Sequence, residues 1–147
     1  MTAIRSTARV EDLPIDLSLT PRERRVVARL LGWLRGEVGG DLLAVWLFGS
    51  RARGEADLTE LDPDRRSDVD LMVVVDSVDT TALRWKLLPS LEAIADEEAE
   101  SPVWFSVMAY DAERLRERRR IRSFFIEEVD RDKVVLLGDR LDGAEWS

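Results

Sequence analysis

Apolar and polar positions change their spacing several times along the chain, and each change predicts an element. From Pro21 onward, Val27, Leu30, Leu31, Leu34 and Val38 recur at helical spacing. Thr20-Pro21-Arg22-Glu23 gives that helix its start: threonine as cap, proline at the first helical position, and a glutamate placed to complete a capping box. Gly39-Gly40 ends it. Leu42 to Phe48 is apolar nearly throughout, as a strand buried on both faces would be. Arg51 to about Ala56 predicts a short helical turn, and 57–66 (DLTELDPDRR) a polar loop containing a proline. Val69 to Val75 is a second strand. A helix over Thr80 to Glu98 turns Leu83, Leu87, Leu91, Ile94 and Ala95 inward, with Pro89 kinking or dividing it. Val103 to Tyr110 predicts a third strand, Ala112 to Arg120 a helix, Ile121 to Val129 another short helix, and Lys133 to Leu137 a closing strand or edge segment.

Alternating strands and helices imply an α/β or α+β domain with helices packed on a small mixed sheet. Residues 1–19 lack a sustained period and read as an N-terminal arm. Residues 20–138 form the domain, and 139–147 a C-terminal tail. A chain of 147 residues, 45% apolar, suits one domain with a real core. No apolar run approaches the ~20 residues that span a bilayer, so a cytoplasmic protein is expected. The absence of cysteine excludes disulfides and thiolate zinc sites, and the absence of histidine excludes an imidazole base. A net charge of −8 argues against general affinity for nucleic acid. Against that background Arg114 to Arg122 (RLRERRRIR) is strongly basic. It reads either as a solvated helix face or as a docking patch for an acidic partner or a nucleotide acceptor.

The candidate chemistry sits in two stretches. Leu47-Phe48-Gly49-Ser50-Arg51-Ala52-Arg53-Gly54 is an apolar strand that stops at a Gly-Ser turn and becomes polar. Ser67-Asp68-Val69-Asp70-Leu71-Met72 opens a strand with aspartates at i and i+2, so both carboxylates point to one side. Two carboxylates on an apolar strand repel each other and are costly to desolvate. A divalent cation removes that penalty, and paired carboxylates completed by substrate phosphates are a common way to hold Mg2+. The glycine lets backbone approach a ligand, and a following helix start favours an anion. Ser50 and Ser67 add hydroxyls. Arg51 and Arg53 carry the charge that suits phosphate, although a solvated helix face accounts for them equally well.

An apolar strand ending in Gly-Ser, then Asp-x-Asp embedded in a second apolar strand, resembles the nucleotidyltransferase superfamily of the DNA polymerase beta type. The wording GSRARGEA…SDVDLMVVVD is similar to the minimal nucleotidyltransferase (MNT) domains of prokaryotes, many of them antitoxins of HEPN/MNT toxin–antitoxin modules. The resemblance spans roughly Leu42 to Gly138. It implies the polymerase-beta-like fold and a Mg2+-dependent transfer of NMP, with ATP as the expected donor, to an acceptor hydroxyl. It also implies Gly49 and Ser50 as phosphate cradle, with Arg51, Arg53 and Ser67 beside it, and Asp68 and Asp70 as metal ligands. The implied acceptor is a hydroxyl on a partner, typically a tyrosine of a HEPN-type toxin. A second copy of the chain is the other way to complete the cleft.

The chain departs from the family pattern in two places. The interval from Ser50 to Asp68 is longer than usual, which puts a charged flap over 57–66 beside the site. The family also places a third carboxylate on a later strand, where this chain has Trp104, Phe105 and Ser106. Asp111 and Glu100 flank that strand without holding the position. Nucleotide binding should survive the loss, whereas activation of the acceptor loses an anionic ligand. Two other readings therefore stand beside the enzyme: a nucleotide-binding module that regulates a partner by contact, and a small-molecule nucleotidyltransferase of the aminoglycoside type. Trp46 and Trp104 are expected on buried strands and Trp33 on a helix, with Trp85 half-exposed. Trp104 stacking on a base is a further reading.

Overall fold

The computed structural model describes residues 9–14, 17–54 and 67–146. The flap over 57–66 lies outside them. The described elements are α1 (Pro21–Val38), β1 (Leu42–Phe48), β2 (Val69–Val75), α2 (Thr80–Glu97), β3 (Phe105–Asp111), α3 (Ala112–Arg120), α4 (Phe124–Asp132) and β4 (Val134–Gly138). The fold is therefore α+β: one sheet in the order β3-β2-β1-β4, with β1 antiparallel to both β2 and β4, and β2 parallel to β3. No described helix is long and apolar enough to cross a membrane.

Strand alternation divides the core in two. Val45, Leu47, Val69, Leu71 and Val73 pack with α1 and α2 on one face. Ala44, Trp46, Phe48, Met72, Val74 and Tyr110 pack with Leu115, Ile126 and Val129 of α3 and α4 on the other. Burial of β1 and β2 on both faces explains why each reads as a nearly unbroken apolar run. The capping box of α1 forms as the sequence implies. Glu23 N donates to Thr20 Oγ1 at 3.2 Å, and Thr20 N donates to Glu23 Oε1 at 2.8 Å.

Several boundaries differ from the sequence reading, each for a local reason. The second long helix runs undivided through Pro89. The third strand starts at Phe105 rather than Val103, because Pro102–Trp104 forms a tight 3-10 turn. Trp104 is thus half-buried on a turn and not on a buried strand. The fourth helix begins at Phe124, because Arg122 takes a left-handed conformation (φ 55°) and separates it from α3. Trp85 is more open than expected, at 75% exposure.

The described parts of the arm and of the tail pack on the domain. Leu13, Leu17 and Leu19 of the arm lie in the core beside α1. Arg24 fastens that segment by donating to the carbonyls of Pro14 (2.9 Å) and Leu17 (3.0 Å). At the other end the basic run of α3 meets the chain's own tail. Arg119 pairs with Asp130 and donates to the carbonyls of Leu141 and Trp146, while Arg116 donates to the Glu145 carbonyl and lies over the Trp146 ring. Lys133, buried, donates to Asp130, Asp142 and the Arg140 carbonyl and sits 4.1 Å from the Trp46 ring centroid. Much of the basic patch is therefore an internal dock.

Candidate nucleotide and metal site

The β1–β2 ladder brings the two sequence motifs together at one end of the sheet. Its last pair is Phe48↔Asp70, so Gly49 emerges beside Asp70, and Asp68 lies just ahead of the ladder. Asp70 falls on the α3/α4 face, because its neighbours Val69 and Leu71 belong to the opposite core. Phe48 on this face makes an edge-to-face contact with Phe125 at 5.6 Å, which walls the site on the α4 side.

Gly49 is required by conformation and by space. Its φ is +78°, and a Cβ built there would stand 2.5 Å from Asp70 Oδ2. Backbone therefore packs directly against the carboxylate. After it, Ala52 N and Arg53 N donate to Gly49 O at 3.0 and 3.2 Å, closing a turn over Ser50–Gly54. The expected helical segment is a turn as far as Gly54, and its continuation to Ala56 lies outside the described residues. Gly49→Ala should cost about 1–2 kcal/mol for the left-handed backbone alone. The clash with Asp70 adds to that, so both the melting temperature and Mg2+-dependent ATP binding should fall. Wild-type values for both would show that the close approach is incidental.

Asp70 is the perturbed group. Burial first, and then the neighbouring Asp68 carboxylate, push its pKa up to about 6, with Arg51 partly opposing them. Neither aspartate receives a hydrogen bond from the described residues. A half-buried carboxylate beside a second one, with no donor assigned to either, is a donor set suited to a hard divalent cation. The sign of the pH dependence follows. A carboxyl whose pKa rises on folding binds protons more tightly in the native state, so metal-free stability falls as pH rises from about 4 towards 6. Melting curves in EDTA should show that fall, and Asp70→Asn should flatten it.

Arg51 departs from the role its charge suggested. It is buried, at 1% exposure. Its Nη1 donates to Glu23 Oε1 (2.6 Å) and the Ser18 carbonyl (2.9 Å). Its Nη2 donates to Glu23 Oε2 (2.9 Å) and the Ser67 carbonyl (2.9 Å), and its Nε to Ser67 Oγ (3.2 Å). A guanidinium has five N–H donors, and all are engaged, so none remains for phosphate. Arg53, partly exposed, pairs with Asp132 at 2.8 Å. Ser50 Oγ and Ser67 Oγ are 3.0 Å apart. Only one of their two protons can lie between them, which leaves the other hydroxyl proton to donate outward.

The parallel β2–β3 register sets Ser106 beside Asp70, so a serine holds the strand position where a third acid was sought. Asp111 pairs with Val75, five residues along, or roughly 17 Å at strand rise. There it caps α3, accepting from Arg114 N at 2.8 Å. Glu100 precedes the Pro102–Trp104 turn and so stands outside β3. Among the described residues no third acid joins Asp68 and Asp70. Glu23 escaped the sequence reading because the capping box already accounted for it. The available signal was its pairing with Arg51, and nothing in the spacing announces a contact across 28 residues.

What the sheet and the site define is an α+β domain with an Asp-x-Asp strand set against a Gly-Ser turn. No protein-family model and no curated protein matches the chain. Solved structures do show similarity. Two are mutant forms of the toxin-antitoxin MntA-HpeT, at 22% and 24% identity, covering 73% and 72% of this chain and 69% and 67% of theirs, with TM-scores of 0.41 and 0.42. A third is a toxin-antitoxin with AMP-PNP, at 24% identity, covering 75% of this chain and 72% of the other, with a TM-score of 0.43. At such identity and overlap, function rests on this chain's own residues.

Proposed function

We propose that the chain is a Mg2+-dependent nucleotidyltransferase that moves AMP from ATP to a hydroxyl on a partner protein, of the HEPN toxin kind that the motif resemblance implies. The observation that carries the reading is the Asp68/Asp70 pair, which has no donor among the described residues and is set against Gly49 backbone at a sheet end. Asp68 and Asp70 would hold the metal. Gly49 gives the triphosphate close access to backbone, and the hydroxyl proton left over from the Ser50/Ser67 pair donates to a phosphate oxygen. The bound cation would supply charge neutralisation on the phosphates. In the reaction the acceptor oxygen bonds to the α-phosphorus, the bond to the pyrophosphate oxygen breaks, and the hydroxyl proton leaves to solvent or to a base on the partner.

A second reading has its own observation. Ser106 beside Asp70 leaves acceptor activation short of a carboxylate, which favours a nucleotide-binding module that regulates its partner by contact. Incubating chain and partner with ATP labelled at the α- or the γ-phosphate separates the two. Transfer of the α-label alone supports the enzyme. Partner neutralisation without label, undiminished in Asp68→Asn/Asp70→Asn, would establish the module instead.

A further inference from the structure

We infer that Arg51 is a positioning residue for the nucleotide site, acting through Ser67 and Glu23 without touching the ligand. This inference rests on the nucleotide-binding reading above. The β1–β2 ladder stops at Phe48↔Asp70. Gly49, Ser50, Ser67 and Asp68 all lie just beyond it, on two segments that are separated in the sequence by residues 51–66. Strand pairing therefore sets Gly49 against Asp70 but does not hold Ser50 to Ser67 and Asp68. Arg51 does. From the turn it bonds both the carbonyl and the hydroxyl of Ser67, the residue before Asp68. Its other donors anchor that clamp to Glu23 on α1 and to the Ser18 carbonyl of the arm. The arm answers with Ser18 N donating to the Arg51 carbonyl at 3.4 Å.

The residue type follows from the geometry. Acceptors on three segments surround one side chain, and only a planar fork with five fixed donors meets them all. A buried ion pair is a poor device for stability alone, because apolar residues of similar volume often serve as well. Its use here is alignment. Ser67 Oγ accepts from Arg51 Nε and from Ser50 Oγ at 3.0 Å, so one guanidinium sets where the Gly-Ser turn and the first aspartate stand relative to each other.

The test compares wild type, Arg51→Lys, Ser67→Ala and the double variant in Mg2+·ATP titration and in steady-state transfer, all below their melting temperatures. Lysine keeps a cation beside Glu23 but cannot span to Ser67. Arg51→Lys should lower kcat by roughly 100-fold, the scale of a 1 Å misplacement, with the KM for the acceptor unchanged. Ser67→Ala leaves the Glu23–Arg51 pair intact and should act in the same direction, and the double variant should lose less than the product of the two effects. Wild-type kcat and ATP affinity in Arg51→Lys, with only a lowered melting temperature, would make Arg51 merely structural and overturn the inference. Should Arg51→Lys fail to fold, wild-type behaviour of Ser67→Ala overturns it equally. Absence of Mg2+-dependent ATP binding in the wild type overturns the functional reading, and this inference with it.

Discussion

Replacing Asp68 and Asp70 together by asparagine is expected to abolish the proposed Mg2+-dependent ATP binding and yet to raise the melting temperature of the metal-free chain at neutral pH. The two effects have one cause. Asp70 is half-buried beside Asp68, and its pKa of about 6 measures how poorly the fold tolerates its charge. Above that pH the charge is present and unfavourable, and asparagine of nearly the same shape removes it. The same charge is what a cation would bind, so the variant gains stability and loses the ligand set. Mg2+ with ATP should stabilise the wild type by mass action and leave the variant unmoved. Calorimetric titration and melting curves in EDTA and in Mg2+ read both halves. A variant that melts lower than wild type in EDTA would show that the aspartates support the fold. Retained metal-dependent binding would place the site elsewhere.

Arg51→Met is expected to be the most destabilising single change. Glu23 is fully buried, and its carboxylate accepts from Thr20 N and, on both oxygens, from the Arg51 guanidinium. Removing one member of a buried pair strands the other and typically costs about 3–5 kcal/mol. For a domain of this size that corresponds to a fall of roughly 6–20 °C, at about 2–4 °C per kcal/mol. Adding Glu23→Leu should recover much of the loss, since an apolar pair of similar volume avoids the desolvation penalty. Recovery of stability without recovery of transfer would separate the two duties of the pair. Failure of the second change to restore stability would mean that the loss arises from the Ser18 and Ser67 contacts.

Much of this was legible before the structure. Strands β1 and β2 are nearly continuous apolar runs, and their pairing was enough to bring Gly49 and Asp70 together. The cap of α1 and the lack of an acid on the third strand near Ser106 were likewise written in the sequence. What was illegible depended on direction rather than type. Arg51 and Arg53 look alike in sequence, but one is buried against Glu23 and the other pairs at the surface with Asp132. No pattern of period 2 or 3.6 distinguishes an inward from an outward arginine on a turn. The contact between the tail and the basic run was illegible for a similar reason. Arg119 pairs with Asp130, but Arg116 and Arg119 reach the tail through the backbone carbonyls of Leu141, Glu145 and Trp146, which carry no signature of charge.

The burial of Glu23 also bears on how the chain comes to be folded as it is made. The capping box forms locally, within the first turn of α1, so that helix can appear early. Its third residue is nevertheless a carboxylate bound for the interior, and its counter-ion is translated 28 residues later, after the whole of β1. Since β2, β3 and β4 are all translated after Arg51, the arginine is at hand when the sheet first forms, and native docking of α1 carries the guanidinium into the interior with Glu23. Core closure and assembly of the nucleotide cradle then become one event. A nascent chain that has not made the cradle has not finished its core.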